Sequence, residues 1–129
     1  MQEALSENDL AALIVDAAFN VHKELGPGLL ESAYECCMVY ELKMRGVEVE
    51  TQKELPIFYK GIQLNLSYRI DLFVGGKVMV ELKSVQGLND IHKAQLITYL
   101  RLSKTKLGLL INFNEKLIKD GIKRVANGL

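Results

Sequence analysis

An α/β fold with a mixed sheet, in the order α-α-β-β-β-α-β, is what this chain predicts, and three observations carry it. Two N-terminal stretches place apolar residues at helical spacing. A long central segment then alternates strictly between apolar and polar positions. Beyond it, a third helical stretch leads into a short, nearly continuous apolar run, the mark of a strand buried on both sides.

The first helix is expected to start from a cap at Asn8 or Asp9 and to run to about Leu25. Leu10, Leu13, Ile14, Ala17, Ala18 and Val21 lie along one side of it. Gly26-Pro27-Gly28 breaks it. A second helix follows from near Leu29 to before Gly46, with Leu30, Ala33, Tyr34, Cys37, Met38 and Leu42 as its apolar stripe. Three strands come next: Val47 to Tyr59, Ile62 to Val74, and Val78 to Ser84. Lys60-Gly61 turns the first into the second, and Pro56 marks part of the first as an edge. A cap at Asn89 or Asp90 opens a third helix reaching about Ser103, and Leu107 to Phe113 forms the buried strand. Leu117 to Val125 reads equally as a short strand or a helical turn.

Register follows from alternation. In the second strand Ile62, Leu64, Leu66, Tyr68, Ile70, Leu72 and Val74 alternate with Gln63, Asn65, Ser67, Arg69, Asp71 and Phe73. In the third, Val78, Val80 and Leu82 alternate with Met79, Glu81 and Lys83. A one-residue slip would send a whole apolar set into water, so a Gly75-Gly76-Lys77 loop is expected. It pairs Val74 with Val78, Leu72 with Val80 and Ile70 with Leu82, and gives the three strands one shared apolar face. It also sets Asp71 opposite Glu81 and Arg69 opposite Lys83. Facing like charges are unfavourable in a sheet, so something positive is expected between the acids. The two-residue Lys60-Gly61 turn places Glu50 opposite Asp71 and Gln52 opposite Arg69, making Glu50, Gln52 and Arg69 a second tier of site candidates.

The 129 residues are enough for one domain with a sizeable core. Sixteen basic and sixteen acidic residues give no net charge, which counts mildly against a nucleic-acid binder, although Lys116, Lys119, Lys123 and Arg124 form a basic C-terminal stretch. Adjacent Cys36 and Cys37 are poorly placed to bridge one another and lack the spacing of a zinc or redox motif. With no signal-like start and no apolar run long enough to span a bilayer, a cytoplasmic protein without membrane association is expected.

Asp71, Glu81-Leu82-Lys83 and the third helix, in this element order, resemble the PD-(D/E)XK nuclease superfamily. Gly28-Leu29-Leu30-Glu31-Ser32-Ala33-Tyr34 resembles the motif that names its GxxExxY family. The resemblance implies a restriction-endonuclease-like core with the mixed sheet flanked by helices, and it runs from about Val21 to Val125. It implies that Glu31, Asp71 and Glu81 hold a divalent metal, with the Leu82 carbonyl as a further ligand. Lys83 would orient or deprotonate the attacking water and stabilise charge on phosphate. Gln95 and Tyr99 match a Q-x-x-x-Y motif that helps position nucleic acid. Ile70 stands where the motif's proline would be.

Phosphodiester hydrolysis needs an activated water and stabilisation of charge on the phosphoryl group, and Mg²⁺ or Mn²⁺ held by oxygen ligands supplies both. Asp71, Glu81 and Glu31 are ligands of that kind. His92, Gln95 and Tyr99 share a helix face, of which His92 is read as a packing or surface residue. The expected activity is therefore hydrolysis of DNA by Asp71, Glu81 and Lys83, with a homodimer or protein partner compensating for the small gripping surface. The alternative is a non-catalytic binding domain, for nucleic acid or protein, that keeps the nuclease scaffold.

Overall fold

Ser6 starts the first helix, one turn ahead of the polar residues expected to cap it. Its hydroxyl accepts the Asp9 N–H at 3.1 Å, while the Asp9 carboxylate accepts the Ser6 N–H at 3.0 Å. Asp9 is thus the return half of a capping box, and Asn8 lies inside the helix. The computed structural model describes residues 4–129. In chain order the elements are α1 (Glu7–Leu25), α2 (Glu31–Met44), β1 (Val49–Tyr59), β2 (Ile62–Val74), β3 (Val78–Lys83), α3 (Asp90–Ser103), β4 (Leu107–Asn112) and β5 (Ile122–Ala126). The ambiguous C-terminal stretch is both things in turn, a 3₁₀ turn at Ile118–Gly121 and then β5.

The five strands lie in the order β1-β2-β3-β4-β5. Only β3 and β4 run parallel, because α3 carries the chain across between them. Helices α1 and α2 cover one face of the sheet and α3 covers the other. Leu10, Ile14, Val21, Met38 and Leu42 pack against Leu72, Val80, Leu82, Leu109 and Ile111 on the first face. Leu96 and Leu100 pack against Ile70, Met79, Leu110 and Val125 on the second.

The expected single apolar face is therefore corrected. Tyr68, Ile70, Leu72 and Val74 are all buried, yet Tyr68 and Ile70 lie under α3 while Leu72 and Val74 lie under α1 and α2. β1 divides in the same way, with Val49 in the first layer and Leu55 and Ile57 in the second. The hand-over falls at Gln52 and Asp71, where Gln52 takes a left-handed φ of 48° and no ladder pair forms.

Two register expectations are also corrected. Val74 pairs with Val78 and Leu72 with Val80, as the three-residue loop requires, but the β2–β3 ladder ends there. Ile70–Leu82, Asp71–Glu81 and Arg69–Lys83 are not ladder pairs, because acidic side chains take the backbone N–H groups at this point. Along β1–β2, Tyr59 pairs with Ile62 beside the turn, but the register shifts between Pro56 and Phe58. Residues 64–66 of β2 bulge against Ile57, next to a proline that has no N–H to donate. The shift moves Glu50 opposite Phe73 and Arg69 opposite Glu54, and brings Gln52, between Thr51–Leu72 and Lys53–Ile70, opposite Asp71.

Candidate active site

The sheet parts between β2 and β3 just beyond Leu72 and Val80, and acidic side chains bridge the gap. The Leu82 N–H donates to Asp71 Oδ2 at 2.8 Å. The Asp71 N–H donates to Glu81 Oε1 at 3.3 Å. Each acid thus stands in for a backbone carbonyl, which keeps the opened edges satisfied. Asp71 Oδ1 accepts the Gln52 side-chain amide at 3.2 Å, and that amide also reaches Glu35 Oε1 at 2.6 Å.

Glu81 is half-buried, and its carboxyl is pushed up to about 8. Burial is the largest cause, followed by the Asp71 charge; the Asp71 N–H and then Lys83 oppose the rise, and Glu31 adds to it.

Glu31 is the first residue of α2, where the helix dipole favours an acid. Its Oε1 accepts the Ser84 N–H at 3.3 Å, and the Ser84 hydroxyl donates to the Leu29 carbonyl at 2.6 Å. These two bonds tie the start of α2 to the end of β3. Tyr34 fixes the turn before it: the phenol donates to the Gly26 carbonyl at 2.6 Å and accepts the Leu29 N–H at 3.1 Å. The ring is fully buried and stacked on Phe113, with centroids 4.4 Å apart. Gly28 has a φ of 99° in that turn, a conformation suited to glycine. The Gly28, Glu31 and Tyr34 spacing therefore places one acid beside the residue that follows Lys83.

On the α3 side, Tyr99 stacks on Tyr68 at 4.1 Å, and the Gln95 amide donates to its hydroxyl at 2.8 Å. Burial raises the Tyr99 phenol and the Glu81 charge raises it further, against the Gln95 hydrogen bond. His92 belongs to the helix cap, accepting the Asn89 N–H at 3.2 Å.

Asp71 is thus held at Leu82, Glu81 at Asp71 and Glu31 at Ser84, with Lys83 between them on β3. Two second-tier residues stand apart: Glu50 pairs with Lys53 of its own strand at 2.8 Å, and Arg69 pairs with Glu54, its partner in the shifted register, at 3.0 Å. Glu35 was missed. Its spacing of four from Glu31 on α2 is the signal that would have found it. Fully buried Asn112 was missed too; its side chain bonds the Val85 N–H at 3.1 Å and the Val85 carbonyl at 3.0 Å, holding the chain as it leaves β3.

Glu31, Ser32, Glu35, Gln52, Asp71 and Leu82 line an open cleft of about 320 Å³. Its donors are oxygens, the chemistry a hard divalent cation takes. Among the described residues no three acids, histidines or cysteines are gathered closely enough to grip an ion as they stand, since Asp71, Glu81 and Glu31 each accept a backbone N–H. The donor set fits a hard divalent cation such as Mg²⁺ or Mn²⁺ in kind.

A five-stranded mixed sheet flanked by helices defines a restriction-endonuclease-like α/β protein. A sequence profile of the PD-(D/E)XK nuclease superfamily matches residues 8–125, and the chain belongs to that superfamily. Its nucleases act on nucleic acid and generally use divalent metals. The chain is also similar to the crystal structure of SSO0001, with a TM-score of 0.56 and 25% sequence identity over 77% of this chain. The match spans about half of that protein, 51% of its length. No curated protein matches the chain. No described helix is long and apolar enough to cross a membrane.

Proposed function

We propose that the protein is a metal-dependent nuclease of the GxxExxY type that hydrolyses DNA phosphodiester bonds at the opening between β2 and β3. The observation that carries this reading is the Asp71–Glu81 pair, held together across parted strands with Lys83 two residues on. Two acids drawn this close share one negative charge while Glu81, pushed up to about 8, keeps its proton; once both are ionised they repel, and a cation between them would offset that repulsion.

Asp71, Glu81 and Glu31 would hold Mg²⁺ or Mn²⁺, with the Leu82 carbonyl as the further ligand the superfamily pattern implies. When bound, the ion supplies charge neutralisation on the phosphoryl group and acidifies water. Glu81 gives up its proton to take part. Lys83 Nζ orients the attacking water and offsets charge on the phosphate. Gln95 and Tyr99 position the nucleic acid along α3, and Tyr34 holds Glu31 at the rim by fixing the turn from Gly26 to Leu29.

The test is cleavage of labelled single-stranded, duplex and branched DNA with Mg²⁺ or Mn²⁺, comparing wild type with Glu81→Ala and Lys83→Ala. Metal-dependent cleavage lost in both variants supports the reading. Cleavage that survives both refutes it, and binding without cleavage by the wild type assigns the chain to the non-catalytic alternative.

A further inference from the structure

Three residues other than glycine adopt a left-handed backbone among those described: Gln52, Lys60 and Lys104. Two have a local reason. Lys60 lies in the tight Lys60-Gly61 hairpin turn, and Lys104 closes α3 in the left-handed conformation that ends many helices. Gln52 sits in the middle of β1, where no turn or cap asks for a φ of 48°. Strain of this kind persists where the surroundings impose it, and it clusters at functional sites.

The surroundings here are the passage of β1 from one core layer to the other and, beside it, two carboxylates. With the register shifted by the bulge at residues 64–66, Gln52 faces Asp71, and the left-handed backbone aims its amide into the cleft. One nitrogen donates to Glu35 Oε1 at 2.6 Å and to Asp71 Oδ1 at 3.2 Å. Asp71 Oδ2 is taken by the Leu82 N–H at 2.8 Å. Both oxygens of Asp71 are therefore directed, one by the backbone of β3 and the other by Gln52. Glu35 anchors the amide from α2, one helical turn beyond Glu31.

We propose that Gln52, steadied by Glu35, is a positioning residue that orients the Asp71 carboxylate for a divalent cation, at the cost of a strained strand. This inference rests on the reading of Asp71 as a metal ligand. A residue kept for the fold should lose stability when removed. A residue kept in strain for the site should do the reverse, because glycine adopts the left-handed backbone readily.

The experiment compares full-length wild type, Gln52→Gly, Gln52→Asn and Glu35→Ala. Thermal unfolding is measured without metal, Mn²⁺ affinity by calorimetry, and DNA cleavage alongside. The expected result is a Gln52→Gly protein that melts no lower than wild type yet binds Mn²⁺ about tenfold more weakly, the scale of loss seen when an outer partner of a metal ligand is removed. Gln52→Asn, which keeps an amide and tolerates the backbone, should recover part of that affinity, and Glu35→Ala should lose part of it. Unchanged Mn²⁺ affinity in Gln52→Gly, or a fall in melting temperature that accompanies the loss, overturns the proposal. So does a wild type that does not bind Mn²⁺. A wild type that binds Mn²⁺ but cleaves no DNA overturns the nuclease reading alone, and the affinity comparison still judges Gln52.

Discussion

Asp71 and Glu81 meet where their strands have stopped pairing: the Asp71 N–H donates to Glu81 Oε1 at 3.3 Å, just past the last ladder pair, Leu72–Val80. The contact joins two acids through a backbone group. Their mutual repulsion and the burial of Glu81 make the opening sensitive to protons and to metal.

The Glu81 carboxyl rises from its ordinary value near 4.5 to about 8 in the folded protein. The folded state thus holds this proton more tightly than the unfolded chain. The stability Glu81 contributes is full below about pH 4.5 and is lost as pH rises through about 8, by a few kcal/mol at most. Urea unfolding in EDTA at pH 5, 7 and 9 should therefore show wild type losing stability relative to Glu81→Gln as pH rises. A constant difference across that range would contradict the assignment.

Metal should reverse the sign. A cation that takes Glu81 as carboxylate displaces its proton, so Mn²⁺ affinity is expected to climb with pH and level off above about 8. At pH 7, saturating Mn²⁺ should raise the melting temperature of wild type and leave Asp71→Ala unmoved. Calorimetry in two buffers of different ionisation enthalpy would count the released proton directly.

Tyr34→Phe removes one hydroxyl that serves both the Gly26 carbonyl and the Leu29 N–H. The expected loss is about 1 kcal/mol, since both partners lie near the surface, with Leu29 exposed and Gly26 half-buried, where water can replace the hydroxyl in part. Because Glu31 follows that turn, DNA cleavage should fall even at temperatures where the variant is fully folded. Denaturant unfolding and cleavage on one preparation check both.

Asn112→Ala should destabilise by about 1–3 kcal/mol, because the side chain is fully buried and its loss strands the Val85 N–H, while the Val85 carbonyl keeps the Asn114 amide at 3.2 Å. Lys83→Ala offers the contrast. Among the described residues its ammonium makes no ion pair, so folding stability should move by less than about 0.5 kcal/mol while cleavage is lost.

Much of this architecture was legible in the chain, and the failures have a common physical origin. Alternation places β2 and β3 correctly because Leu72, Val74, Val78 and Val80 would be stranded in water by any slip. The same reasoning misplaces Glu50 and Gln52, because it assumes an unbroken ladder from the Lys60-Gly61 turn. Pro56 was visible as an irregularity, but a missing donor does not reveal how many residues the facing strand will extrude. Nor does period-two patterning register that Ile70 and Leu72 serve different layers, since both read as apolar. The acids of the opening were foreseeable as a conflict of like charges. Their resolution, side chains replacing carbonyls, depends on atomic reach that no pattern encodes. Asn112 was hidden for the same reason: one polar residue ends an apolar strand, and only its partners reveal its task.

The spans of chain that join these acids also set an order of assembly. Asp71 and Glu81 are 10 residues apart, linked through one short loop, whereas Glu31 reaches Ser84 across 53 residues. Closure over the shorter span is faster and less demanding in entropy. Mutations in the β2–β3 loop should accordingly slow refolding, and those at the Glu31–Ser84 contact should mainly speed unfolding. A chain emerging from synthesis would then hold its first two acids early and acquire the third only when α2 docks on the end of β3. On the proposed nuclease reading, such a protein would stay latent until its last long-range contact is made, and a partly folded copy would pose no hazard to the nucleic acid around it.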